Sequence, residues 1–158
     1  MSAQPQSDGN SAAPEEPAAT QPPATIAVNW DGEHRFDAAR PERPAIKLDG
    51  SGMAGPSPVD ALLASLASCA GIDVVEILQK RRTPPTAIRI DVVGERVTTT
   101  PKRLKHVTLN FHITGTGIDR ENTERAIDLA INKYCSVRSS LRDDVPVEWT
   151  LELTDGDQ

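Results

Sequence analysis

Two side chains in this sequence have the chemistry of a redox or nucleophilic pair, Cys69 and Cys135. They are far apart in the chain, but each lies on or next to an apolar stretch with helical spacing, so both can face one interior. Two readings fit them. Free cysteine packs as a small hydrophobe and is among the most buried residue types, so both can be plain core residues. Alternatively they form a thiol pair, in which one thiolate attacks an oxidant and the other closes a disulfide on the resulting sulfenic acid. The second reading needs a cation, because Cys69 stands mid-helix, where the dipole of the helix terminus has faded. Arg35, Arg138, Arg40 and Arg43 are the candidates. Asp60 can orient such an arginine through a bidentate ion pair, or simply cap its helix. Other chemistries lack their signatures: there is no C-x-x-C, no G-x-S-x-G and no phosphate loop, and His34, His106 and His112 form no metal pattern with the cysteines.

The element that must position Cys69 is a long helix over Pro58 to Arg82. Val59, Leu62, Leu63, Leu66, Cys69, Ala70, Val74, Ile77 and Leu78 recur in steps of three and four along one broad face. Ser57, Pro58 and Asp60 spell a capping box with proline at the first helical position. Lys80, Arg81 and Arg82 suit the negative end of the dipole, and Pro84-Pro85 forbids continuation. Such a helix is roughly 37 Å long and needs a partner surface along all of it.

Around it the chain reads as short strands. Residues 1–25 are rich in Pro, Ala, Ser and Gln and predict a disordered tail, with the folded domain over 26–154. A hairpin about Asp31-Gly32 and a short strand at Ala45 to Leu48 precede the helix. Alternation at Ile88, Ile90 and Val92, and at Val107, Leu109, Phe111 and Ile113, predicts two antiparallel, half-buried strands. A second helix over about Arg120 to Tyr134 delivers Cys135, a further helical turn spans Ser136 to Leu141, and VEWTLEL is the last strand. The order β-β-β-α-β-β-α-β predicts an α+β fold with a mainly antiparallel sheet. So modest a sheet leaves the long helix partly uncovered, which predicts a homodimer.

Bulk composition narrows the function. The chain has 158 residues, 37% hydrophobic and 3% aromatic, enough for one aliphatic core. A net charge of -6 and a pI near 5.0 exclude a general nucleic-acid binder. No unbroken apolar run of eighteen residues and no signal-peptide pattern occurs, which predicts a cytoplasmic protein with no membrane partner.

The segments GPSPVDALLASLASCAGIDVVEILQKRR, PKRLKHVTLNFHITGTG and AIDLAINKYCSV resemble the OsmC/Ohr superfamily, in its OsmC-like branch. That resemblance implies an intertwined homodimer with the long helices in the middle and paired sites at the interface. It further implies that Cys69 reduces organic hydroperoxides or hydrogen peroxide and that Cys135 resolves the sulfenic acid. Thiols, such as dihydrolipoyl groups on proteins, then regenerate the enzyme, and no metal, haem or flavin takes part. Arg35 is the best match to the family's hairpin arginine. The glutamate that pairs with it ten residues before the cysteine is replaced by Val59, with a carboxylate one position later at Asp60. Ser136 stands where the classical members have proline. The alternative function is a binding or scaffold protein on the same fold, holding a hydrophobic small molecule or partner, with inert cysteines.

Overall fold

Helix α1 (Pro58–Lys80) begins as its sequence demands. Ser57 is extended at φ -66°, its Oγ accepts the Asp60 N–H at 3.2 Å, and the Asp60 carboxylate accepts the Ser57 N–H at 3.0 Å. This is the predicted capping box, and it satisfies donors the first turn would otherwise leave bare. The helix ends at Lys80, two residues short of the expectation. Arg82 turns left-handed at φ 64°, and the Thr83 N–H closes back on the Leu78 carbonyl at 3.1 Å. By length and hydropathy α1 would also pass as a membrane span. Its apolar face is used otherwise: Leu66, Ala70, Val74 and Leu78 are buried in the core.

The computed structural model describes residues 21–156, so the predicted tail falls largely outside the described residues; 21–25 carry no regular structure. Strands β1 (Ala27–Trp30), β2 (Arg35–Ala39) and β3 (Ile46–Asp49) form one antiparallel sheet in that order. Strands β4 (Ala87–Arg96), β5 (Leu104–Gly115) and β6 (Val147–Asp155) form a second. Within it β4 and β5 are antiparallel, whereas β6 runs parallel to β5. The parallel pair follows from the connection: α2 (Arg120–Leu129), a π turn (Ala130–Tyr134) and α3 (Ser136–Ser140) carry the chain back along one face before β6 begins. The remaining pairs are antiparallel, as the α+β reading predicts.

The core lies between the second sheet and the helices. Strand β5 supplies Val107, Leu109, Phe111 and Ile113 to it, each at most 1% exposed, while His106, Thr108, Asn110 and His112 alternate outward. The outward histidines are tied to acids on the flanking strands, His112 to Asp91 at 3.0 Å and Glu152 at 2.8 Å, and His106 to Glu148 at 3.2 Å. The register of β4 on β5 shifts between Glu95 and Arg96, one residue beyond Gly94. The reason for glycine is packing, since a Cβ there would meet both Leu63 methyls at 2.8 and 2.9 Å. Its absence lets α1 approach β4.

The first sheet is built differently. Its turn uses positive φ at Gly32 and Glu33 (84° and 48°). Registers Trp30↔Phe36, Val28↔Ala38, Phe36↔Leu48 and Ala38↔Ile46 put six apolar residues on one face. That face is open: Trp30 is 68% exposed, Ile46 57% and Val28 54%. The sheet meets the rest of the chain chiefly where β3 touches α1. The loop between them is pinned by Asp49, whose carboxylate accepts from the Ser51 N–H and Oγ at 2.8 Å and the Ala54 N–H at 2.9 Å. These donors, Ala54 first, hold the Asp49 carboxyl at about 2.

Candidate active site at the thiol pair

Cys69 sits in the middle of α1, on its way round from the core to the surface, half-buried. Cys135 reaches it through a feature the sequence did not betray. The expected helix over Arg120 to Tyr134 stops being an α-helix at Leu129 and winds into a π turn. The Cys135 N–H bonds the Ala130 carbonyl at 2.8 Å, five residues back. The wider turn brings residue i+5 back over residue i, so Ala130, Ile131 and Cys135 all face inward. A regular α-turn would have rotated Cys135 away from Ala130.

Cys135 is 1% exposed and is a satisfied thiol. Its Sγ accepts the Arg138 N–H at 3.3 Å, capping α3, and its S–H points at the Leu66 carbonyl, with sulfur and oxygen 4.0 Å apart. Burial pushes the Cys135 thiol above its ordinary value, the Arg138 N–H pulls it back, and hydrogen bonding and charge from Cys69 push it up again. The two cysteines are therefore neighbours that act on each other. One is buried and held protonated; the other has access to solvent. That asymmetry is what a two-thiol cycle needs from its resolving and attacking members.

A groove of about 500 Å3 follows the seam between α1 and the α2–π-turn segment, lined by Asp73, Ile77, Arg81, Arg125, Leu129 and Tyr134. Asp73 lies one helical turn beyond Cys69, and Tyr134 precedes Cys135. Neither was singled out in the sequence, although the i, i+4 spacing of Cys69 and Asp73 was there to be read.

The other predicted site residues are elsewhere within the protomer. Asp60 is nine residues from Cys69, about 180° around an α-helix, and faces the opposite side of α1. There it lines a groove of about 710 Å3 with Leu63, Ala67, Gly71 and Ile90. Its carboxyl is held below the ordinary range by the Ser57 hydrogen bonds first and by the charge of Arg96 last. No ion pair joins Asp60 to an arginine among the described residues. Val59 is half-buried against the core. Arg35 lies on β2, where its guanidinium pairs with Glu33 and donates to the Asp31 carbonyl at 3.4 Å. No cluster of three metal-ligating side chains occurs among the described residues.

A family model described as OsmC-like protein matches residues 49–150, which include α1, both cysteines and most of the second sheet. The chain belongs to the OsmC-like family. It is 36% identical over 109 residues to protein YhfA of Escherichia coli K12, covering 68% of this chain and 81% of YhfA. An OsmC-like protein from Mycoplasma pneumoniae superposes with a TM-score of 0.73 at 18% identity, covering 85% of this chain and 99% of that one. An organic hydroperoxide resistance protein OsmC from Legionella pneumophila gives 0.62, also at 18% identity, covering 84% and 99%. Those two likenesses extend the OsmC-like fold over β1–β3, beyond the reach of the family model.

Proposed function

We propose that this OsmC-like protein is a thiol-dependent peroxidase, with Cys69 as the attacking thiol and Cys135 as the resolving one. The observation that carries the reading is the asymmetric pair itself: a buried, hydrogen-bonded Cys135 against a half-exposed Cys69 at the middle of α1. The Cys69 thiolate takes the distal oxygen of a hydroperoxide as the O–O bond breaks. Sulfur loses two electrons, and the departing alkoxide takes a proton to become an alcohol. The Cys135 sulfur then attacks the sulfenic sulfur, its proton leaves with the hydroxyl as water, and a disulfide closes. Two thiol groups of a reductant, a dihydrolipoyl group being one such dithiol, return both cysteines to thiols and leave as a disulfide. The apolar walls about α1 favour organic over hydrogen peroxide, because burying alkyl surface contributes about 25 cal/mol per Å².

The test is chemical. One equivalent of cumene hydroperoxide is expected to leave wild-type protein with an intramolecular Cys69–Cys135 disulfide. In Cys135→Ser the same oxidant is expected to leave a dimedone-trappable sulfenic acid on Cys69, read by peptide mass. Trapping at Cys135 in Cys69→Ser but never at Cys69 would reverse the roles, and unchanged thiols after oxidant would refute the cycle.

The same reading includes a homodimer. The apolar face of β1–β3 and the apolar groove between α1 and β4 are both uncovered in one protomer. A second copy can cover each with the other, closing the assembly by two-fold symmetry. Sedimentation is expected to give a dimer at micromolar concentration, and Trp30→Asp to shift it towards monomer. Wild-type protein that sediments as a monomer would remove this part of the proposal.

That groove also favours a second reading, a binder of hydrophobic small molecules with inert cysteines. It predicts no disulfide under the oxidant test above.

A further inference from the structure

Helix α3 is five residues long and has no fully buried side chain; Val137, and Leu141 just after it, are half-buried against the core. Few interactions therefore hold it, and one of them is made by sulfur. Cys135 is extended at φ -67° and ψ 102°, in the N-cap position, and its Sγ accepts the Arg138 N–H at 3.3 Å. The Val137 N–H also bonds to this sulfur. The Cys135 carbonyl accepts the Ser139 N–H at 3.1 Å. Helix caps are ordinarily made by Ser, Thr, Asp or Asn, whose oxygens are stronger acceptors than a thiol. Any of those at position 135 would cap α3 better, but none could form a disulfide.

The same sulfur is one half of the thiol pair. It meets three groups at once: the Arg138 N–H, the Leu66 carbonyl at 4.0 Å and the Cys69 side chain. Leu66 and Cys69 both belong to α1, which buried Leu66, Ala70 and Val74 anchor in the core. Closing the disulfide removes two protons and two electrons from the thiols; in the cycle above a hydroperoxide takes them and leaves as alcohol and water. The S–H that pointed at Leu66 is then gone, and a covalent bond of fixed geometry draws Cys135 Sγ towards Cys69. Because α1 is the anchored side, the shift falls on Cys135, and the first N–H groups of α3 lose their acceptor.

We propose that Cys135 couples the redox state of the pair to the order of α3: the reduced sulfur caps the helix, and the disulfide uncaps it. The first turn of α3 then loosens while α1 and the second sheet stay as they are. This coupling rests on the redox reading of the pair and adds a conformational consequence to it. It also runs in reverse, because an interaction that holds α3 in place favours the reduced thiols by the same free energy.

The test is amide hydrogen exchange on full-length wild-type protein, followed residue by residue by NMR, with the thiols reduced and again after diamide has closed the pair. Diamide takes the two electrons and two protons itself, so the disulfide does not depend on hydroperoxide turnover, and peptide mass identifies it as Cys69–Cys135. The Val137, Arg138 and Ser139 N–H groups are expected to exchange about fivefold faster in the oxidised protein, the factor that loss of one cap corresponds to, with the β5 amides unchanged. Reduced Cys135→Ala, which has no acceptor, is expected to exchange there as fast as oxidised wild type. Cys135→Ser, whose hydroxyl caps, is expected to keep the protection of reduced wild type with or without diamide. Cys69→Ser, which leaves Cys135 without a thiol to bridge to, is expected to do the same. The wild-type comparison stands alone should Cys135→Ala fold poorly. Unchanged α3 exchange on closure of the disulfide overturns the coupling, as does exchange that quickens equally in β5. Failure of diamide to close the pair overturns it too, and so does α3 exchange quickened by diamide in Cys69→Ser. A disulfide that forms with diamide but not with hydroperoxide, with α3 loosened, removes the peroxidase reading and leaves the coupling standing.

Discussion

Cys69→Ser is expected to reduce thiol-dependent consumption of cumene hydroperoxide to the uncatalysed rate, a loss on the order of 10³-fold or more. The size follows from the role. Every electron that reduces the peroxide leaves from the Cys69 sulfur, and a serine hydroxyl can neither ionise near neutral pH nor accept an oxygen atom. The substitution is nearly isosteric at a half-buried position, so the helix and its capping box should survive it. Cys135→Ser differs in kind: a first turnover with a single equivalent of oxidant remains, and the disulfide does not form. Undiminished turnover in Cys69→Ser would exclude Cys69 as the attacking thiol, whatever Cys135 does. The readout is peroxide remaining against time with a dithiol reductant, at matched protein concentration.

Phe111→Ala is expected to cost about 3–5 kcal/mol of stability. Phe111 is fully buried on β5, the middle strand of the second sheet, in register with Ile90 on one side and Leu151 on the other. Truncating it leaves a cavity that neighbours on two strands and a helix cannot close. Against a typical total of about 5–15 kcal/mol, the loss is a large fraction. Urea denaturation checks it, with wild type and variant at one protein concentration, because a dimer's midpoint depends on concentration. His112→Gln is the matched control, one residue along and on the solvent face, where its contacts to Asp91 and Glu152 are exposed. It is expected to change stability by less than about 1 kcal/mol. Equal costs for the two substitutions would mean that the second sheet does not bury the face assigned to the core.

Local chemistry written into neighbouring residues was legible before any coordinates. Ser57, Pro58 and Asp60 announce the start of α1, because a cap is made by residues three apart. The alternation of β5 and the turn at Asp31-Gly32 are likewise short-range, and the structure has them where periodicity and turn chemistry place them. Cys69 and Cys135 could be named from the sequence, and the family resemblance gave them roles. What no spacing rule contains is how widely separated pieces meet. The parallel pairing of β6 with β5 comes from the path of the helical crossover, and Gly94 is required by the methyls of Leu63, from a different element.

The site itself divides the same way. The sequence by itself determined a long apolar helix with a thiol at its middle, a second thiol after a shorter helix, and arginines available to both. Tertiary structure decided the rest. A π turn rotates Cys135 into the core, because a wider turn there buries Ala130, Ile131 and Cys135 together, and helical patterning does not distinguish that from an α-helix. Rotation around α1 carries Asp60 away from Cys69, and the separate first sheet holds Arg35 against Glu33. Arg138, one of the candidate cations, meets Cys135 Sγ through its backbone N–H, and its guanidinium makes no ion pair among the described residues.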